Sequence, residues 1–362
     1  MVLGRQADAI SSFCRWSPNG EFQAGTFARQ AIGMMWDFFE VAPFADAGGG
    51  FDGALKWVLD VLQLEAASNS PKGQVQQASA TQHPLPDDSA AALVTDPPYY
   101  DAVPYAHLSD FFFVWERRAL AVSHPELFRD VEVTREAEIV VDRPHQLSNS
   151  KKDILFYERE LQKAFAESRR ILQPDGIGTI VFASKTTSSW EAILKAVDDS
   201  GWIITASWPI DTEREARIAA QGQARLASSV HLVCRPREDA SGTVVDSVGD
   251  WRDVLCELPK RIHEWMPRLA AEGVVGADAI FACLGPALEV FSRYSRVEKA
   301  NGDTATLREY LEFVWAAVST EALSLIFKDA DAAGLEPDAR LTAMWLWTLG
   351  GGKESRKRRG RR

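Results

Sequence analysis

Four consecutive residues, Asp96, Pro97, Pro98 and Tyr99, combine the groups that chemistry at the amino nitrogen of a nucleic-acid base requires. The exocyclic amine of adenine or cytosine is a poor nucleophile because its lone pair is delocalised into the ring. Accepting hydrogen bonds from its two N–H groups drives the nitrogen toward a tetrahedral shape, from which it can attack an electrophilic methyl carbon. The Asp96 carboxylate and the main-chain carbonyl of Pro97 are suited acceptors, and proline fixes the backbone so that the carbonyl direction is set. Tyr99 offers a flat ring on which a base extruded from a duplex can stack. A Pro-Pro turn without chemistry is the competing reading, and the apolar run directly ahead of the tetrapeptide argues against it.

That run, residues 90–95, fits a buried parallel strand. Two prolines cannot continue a ladder, so the chain must leave the sheet at Asp96. A strand end that delivers an acid and an aromatic to a loop is where α/β proteins place their chemistry. After a long excursion, residues 153–172 predict a helix, with Ile154, Tyr157, Leu161, Ala164, Phe165, Ser168 and Leu172 at helical spacing. Pro174, Asp175 and Gly176 end it, and residues 177–183 read as a second buried strand. Ser188 with Glu191 makes a capping box for a helix that closes at Gly201. Residues 202–208 and 229–235 read as two more strands, the last ended by Pro236, with no helix between them and hence antiparallel. The stretch 90–237 therefore reads as the second half of a doubly wound sheet.

On either side the chain reads as helical. Residues 26–41, capped by Thr26, and 51–64, with Leu55, Val58, Leu59 and Leu62 on one face, predict two helices joined by a glycine turn at 46–50. Residues 66–89 are rich in Ser, Gln, Ala and Pro and read as a flexible surface loop. A linker at 238–250 leads to helical patterning over 251–271, 277–292, 305–328 and 337–348. Four regions result: a helical N-terminal segment and loop (1–89), the half-sheet (90–237), a helical C-terminal region (238–352) and a basic tail (353–362).

Composition narrows the function classes. Hydrophobic residues make up 46% and charged residues 25%, the ordinary globular range. No apolar run approaches a membrane span and no signal-peptide progression opens the chain, so a cytoplasmic protein without a membrane partner is expected. Cys14, Cys234, Cys256 and Cys283 form no CxxC pair and the six histidines are scattered, which argues against a metal site or a disulfide framework. The net charge is −11, and the tail contributes a local +6 that leaves −17 on the rest. Such a body attracts phosphate poorly, whereas the tail could supply some of that attraction.

The run DPPYYDAVPYAHLSDFFFVWERRAL (96–120) resembles the catalytic motif and following segment of the large adenine-specific DNA methylases that often contain a zinc ribbon and carry an N-terminal domain of unknown function. ARQAIGMMWDFFEVAPF (28–44), WPIDTE (208–213), SSVHLVCRPR (228–237) and GPALEVFSRYSRV (285–297) are similar to the same family, in order, up to about residue 345. The resemblance implies a partial Rossmann-like methyltransferase sheet, S-adenosylmethionine as donor, DNA as partner and a setting in restriction-modification. Carried over, Asp96, Pro97, Pro98 and Tyr99 would be the amino-acceptor and stacking loop, and Tyr100, Asp101 and Tyr105 would shape the substrate pocket. Asp110 matches as well, and for both Tyr105 and Asp110 a structural role is equally open; Trp36, Asp37 and Glu40 match as packing or loop-anchoring residues.

One motif is expected to be missing. A methyltransferase of this type needs an acid, an aromatic and close glycines after the first strand, and the resemblance puts these ahead of the matched region. Phe44 to Phe51, with Gly48, Gly49 and Gly50, mimics the pattern but follows no apolar strand and reads as a surface turn. The donor-binding residues are thus unassigned, and a separately encoded N-terminal portion is the expected partner. Cytosine amino groups or RNA remain alternative substrates, and a noncatalytic nucleic-acid-binding remnant is the alternative from another class. Arg214, Arg217 and Arg225 could touch phosphate or serve as solvated loop residues, and Lys185, just past a strand end, could face the pocket or cap the sheet. Met34, Met35 and most tryptophans are expected in the core.

Overall fold

In the computed structural model, residues 1–18, 21–27, 31–38, 42–45, 49–99, 103–141, 152–183, 187–211, 228–272, 274 and 277–326 are described. They fall into two compact units that do not follow chain order, one of 1–77 with 101–148 and one of 78–100 with 149–362.

The first unit holds α1 (Val2–Ile10), a hairpin of β1 (Arg15–Ser17) and β2 (Phe22–Ala24), α2 (Phe51–Ala66) and α3 (Tyr105–Leu120). Phe27 packs against Phe111 at 5.4 Å and Phe112 at 5.2 Å, joining the hairpin's end to α3. The helix expected at 26–41 is not formed in its described part. Thr26, read as its cap, is spent elsewhere: its amide donates to the Asp8 carbonyl (2.9 Å) and its hydroxyl meets Ser11 Oγ at 2.6 Å. Met34 is 75% and Trp36 86% exposed, so neither is a core residue. An all-round apolar stretch makes a helix only when surroundings cover every side, and here they do not. α2 forms as expected, yet Leu59, Leu62 and Leu64 on it are exposed.

The second unit is built on a four-stranded sheet of β3 (Ala90–Thr95), β4 (Leu172–Phe182), β5 (Trp202–Asp211) and β6 (Ser228–Pro236), in the order β3-β4-β6-β5. β3 runs parallel to β4, while β6 lies antiparallel between β4 and β5. Three parallel strands with an antiparallel one threaded between the last two make an α/β half-sheet of the Rossmann-like kind. Its centre is dry: Ile180, Phe182, Val230 and Leu232 are fully buried. β4 starts directly at the helix end rather than at Ile177, but its ladder with β3 jumps from Leu172 to Ile177, so Gln173 to Gly176 bulge out and the regular pairing begins where expected.

β3 differs from the buried strand the sequence predicts. It is the sheet edge, no described strand pairs with its other side, and Val94 is 75% exposed. A parallel strand is buried only when elements cover both faces and the far edge.

α4 (Ile154–Ile171) and α5 (Thr187–Asp199) pack beside each other. Asp153 caps α4, accepting from the Phe156 amide at 2.8 Å. α5 starts a residue ahead of the expected Ser188 cap and is closed by Gly201 at φ +81°. The supposed linker 238–250 contains β7 (Val248–Asp250), which pairs in parallel with β8 (Arg296–Glu298). Asp250 then caps α6 (Trp251–Ala271), followed by α7 (Ala277–Ser292) and α8 (Leu307–Ile326). The helix expected at 337–348 and the basic tail lie outside the described residues.

α7 lies almost on the backbone of β5. The Ser207 hydroxyl reaches into it, facing the carbonyls of Phe281 (2.6 Å) and Ala282 (3.1 Å) and accepting from the Gly285 amide (2.7 Å). Pro286 has no N–H to offer the Ala282 carbonyl, and Ser207 stands in for it.

At the end of the sheet away from Asp96, Arg237 ties three elements together. Its guanidinium donates to the Ser292 carbonyl (2.9 Å), the Tyr294 carbonyl (2.6 Å), the Asp198 carbonyl (3.1 Å) and the Asp198 carboxylate (3.2 Å). Burial pushes the Asp198 carboxyl up to about 6, against the opposing pull of Arg237. Between an ordinary value of 3.8 and about 6 the folded chain holds a proton that the unfolded chain has released. This contribution is therefore complete below the lower value and is lost as pH rises through the upper one. Asp198→Asn cannot ionise. Relative to the variant, wild type should lose on the order of 2–3 kcal/mol between pH 3.5 and pH 7.5. Parallel pH profiles of urea unfolding for the two proteins would remove Asp198 from this role.

Candidate active site

The last paired residue of β3 is Thr95, opposite Ile180 of β4. Immediately beyond it Asp96 is exposed, Pro97 is buried, and Pro98 and Tyr99 are half-buried. This gradation follows from the residue types. Neither proline has an N–H for the ladder, so the chain turns off the sheet, tucks Pro97 in and leaves the acid in solvent.

Contacts from α4 and β4 hold the loop. The Tyr157 hydroxyl, on α4, donates to the Pro98 carbonyl at 2.8 Å. Tyr157 is fully buried, and a buried phenol stays in place because its hydroxyl finds a partner. The Tyr99 ring meets Phe182 at 5.3 Å and 76°, an edge contact of the favourable kind. Phe182 closes β4 two residues past Ile180, which is why it lies level with the loop. Behind it the aromatic contacts continue to Trp190 on α5 (4.9 Å), Phe281 on α7 (5.6 Å) and Trp315 on α8 (6.2 Å). The loop is thereby backed by packed rings that reach the C-terminal helices.

The other expected site residues divide. Tyr100 and Asp101 lie outside the described residues, as do Lys185, Arg214, Arg217, Arg225 and Glu40. Tyr105 opens α3 in the first unit and is partly exposed. Asp110, on the same helix, is taken up by Arg135 and by the Val133 amide at 2.7 Å, a tether between α3 and the segment after it. Tyr157, Phe182 and Trp190 entered the sequence reading only as helix, strand and packing residues.

The described end of the glycine turn, Gly49 and Gly50, does not fit a donor cradle. Gly49 and Gly50 offer their carbonyls to Gln6 Nε2 at 2.8 and 3.2 Å, and the Phe51 amide, first of α2, bonds back to the Pro43 carbonyl at 2.7 Å. A Cβ on Gly49, whose φ is +91°, would meet Gln23 Nε2 at 2.9 Å. The close approach that Gly49 permits is thus used by Gln23, and the carbonyls of Gly49 and Gly50 close on the protein itself; residues 46–48 of the turn lie outside the described residues. Among the described residues no group of three or more His, Cys, Asp and Glu converges as a metal site. No described helix is long and apolar enough to cross a membrane.

No family model matches the chain, and no curated protein matches it. Among solved structures, it is similar to a Thermus thermophilus protein, TTHA0409, provisionally named a DNA modification methylase, in native and selenomethionine forms. Sequence identity is 13% and 14%, with 66% of this chain covered in both cases. The match covers 89% and 90% of the other chain, with TM-scores of 0.22 and 0.23. Scores this low do not establish a shared overall fold, and the α/β assignment stands on the strand order and directions above.

Proposed function

We propose that this chain is the amino-activating part of a methyltransferase that modifies the N6 amino group of adenine in DNA. One observation supports the reading most: an exposed carboxylate, Asp96, at the end of a parallel strand, on a loop whose Pro98 carbonyl is already engaged by Tyr157. Of the two proline carbonyls, Pro97's is then the one assigned to the substrate. Asp96 and Pro97 accept from the two N–H groups of the amine, and Tyr99 stacks on the extruded base; Tyr100, Asp101 and Tyr105 join the substrate-binding residues on the family resemblance alone. The choice of adenine rests on the family resemblance alone.

S-adenosylmethionine is the proposed donor and would supply the electrophilic methyl group. The described residues do not fit it, so we assign its binding to a separate donor-binding portion. The outer edge of β3, which pairs with no described strand, supports this assignment, because such an edge is where a completing strand would join. The lack of fit equally favours a second reading, a nucleic-acid-binding protein without catalysis.

One assay separates the two. Chain recovered from its own cells with its bound proteins is expected to move labelled methyl groups from S-adenosylmethionine to adenine of unmethylated duplex DNA. Recombinant chain alone should neither do so nor bind the donor in calorimetric titration. Donor binding by the lone chain would overturn the division of labour. Absence of transfer by the native preparation, on DNA or RNA, would favour the noncatalytic reading.

A further inference from the structure

We infer that Tyr157 is a positioning residue for the loop 96–99, and that its hydroxyl selects which carbonyl the loop presents. The inference builds on the function proposed above, but the clamp itself is a property of the fold. A Pro-Pro segment has two carbonyls and no amides, so nothing within it can tie its own backbone down. The Tyr157 hydroxyl, 2.8 Å from the Pro98 oxygen, holds the Pro98–Tyr99 peptide from its carbonyl side.

α4 gives this hydroxyl little freedom. Tyr157 lies on the face that also buries Leu161, Ala164 and Phe165, and Asp153 caps the helix one turn before it. Tyr99 is held separately through Phe182. The loop is therefore pinned at two consecutive residues by two different elements, α4 through a hydrogen bond and β4 through a ring. Loss of the first pin leaves the second, so the segment would pivot about Tyr99 rather than detach. Pivoting would turn Pro97 and Asp96, the two acceptors, out of register with each other, and small misplacements of reacting groups carry large rate penalties.

Tyr157→Phe removes one oxygen and keeps the buried ring. In hydrogen–deuterium exchange of the full chain, the peptide covering residues 96–101 should exchange roughly five- to tenfold faster, the equilibrium worth of one hydrogen bond. Peptides of β4 should be unchanged. Leu161→Ala, one turn further along the same face, should lower the unfolding midpoint without this selective effect. The second readout, on chain recovered with its bound proteins, is the fluorescence of 2-aminopurine in place of adenines of a duplex that this preparation methylates, which rises when the base is extruded. Tyr157→Phe should bind the duplex as wild type does and lose most of that rise. Unchanged exchange at 96–101 would overturn the clamp, as would equal loop opening in Leu161→Ala. Selective opening with no fluorescence rise in any protein, wild type included, would keep the clamp and sink the base-extruding function.

Discussion

Replacing Asp96 with Ala is expected to slow methyl transfer by about 10²- to 10³-fold, the scale on which one preorganised charge-stabilising contact acts. The amine would keep one acceptor, the Pro97 carbonyl, and would lose the charged one. Asp96 is exposed and ends a strand rather than supporting it, so stability should move by no more than about 0.5 kcal/mol. Affinity for DNA should also hold, because most of it comes from phosphate contacts that this carboxylate does not make. Asp96→Asn keeps an acceptor oxygen in place and should lose less, since hydrogen bonds to charged groups are roughly twice as strong as neutral ones. The measurement is single-turnover transfer by the native preparation, with DNA binding checked in parallel. Equal activity of wild type and Asp96→Ala would remove the loop from the chemistry.

The sheet was legible because its strands are short apolar runs ended by strong punctuation. Two prolines follow β3, Gly201 precedes β5 and Pro236 ends β6, and each bound fell within a few residues of the expected one except the start of β4, which begins at Leu172. Antiparallel pairing of the last two strands followed from the lack of a helix between them. Exposure of β3 was not legible. An apolar hexamer reads the same at an edge as at a centre, because the difference lies in neighbours and not in the strand itself.

Three-residue strands left no pattern to read. β7 and β8 are too short for alternation, and Gly249 sits in β7 only because the Tyr294 ring occupies the space its side chain would take. The N-terminal hairpin had a better signal, Pro18-Asn19-Gly20 between Trp16 and Phe22, which is turn chemistry. The apolar residues from 27 onward drew attention to a helix instead. For the loop 96–99 the residue types carried the reading, while its supports did not. Tyr157 is 58 positions from Tyr99, and nothing local tells a clamping tyrosine from one that only fills space.

Gly285→Ala should be the most destabilising single methyl in the described chain. A Cβ there would stand 2.2 Å from the Ala206 carbonyl carbon and the Ser207 amide nitrogen. Both are backbone atoms of β5, so no rotamer change can make room, and α7 must lift from the sheet. Overpacking of a core typically costs about 1–3 kcal/mol; with backbone on the receiving side, about 3 kcal/mol or more is expected. Lifting α7 would also draw the Gly285 amide and the Phe281 and Ala282 carbonyls away from Ser207. Ser207→Ala, which leaves those groups without their partner but adds no bulk, should cost about 1–3 kcal/mol. Because both changes break one contact, the double variant should fall short of the sum. Urea unfolding of the four proteins tests this, and additive losses would mean that the hydroxyl and the glycine act independently. An unfolding midpoint untouched by Gly285→Ala would mean that α7 does not pack on β5 at this register. The aromatic contacts that run from Tyr99 through Phe281 to Trp315 would then lose their foundation as well.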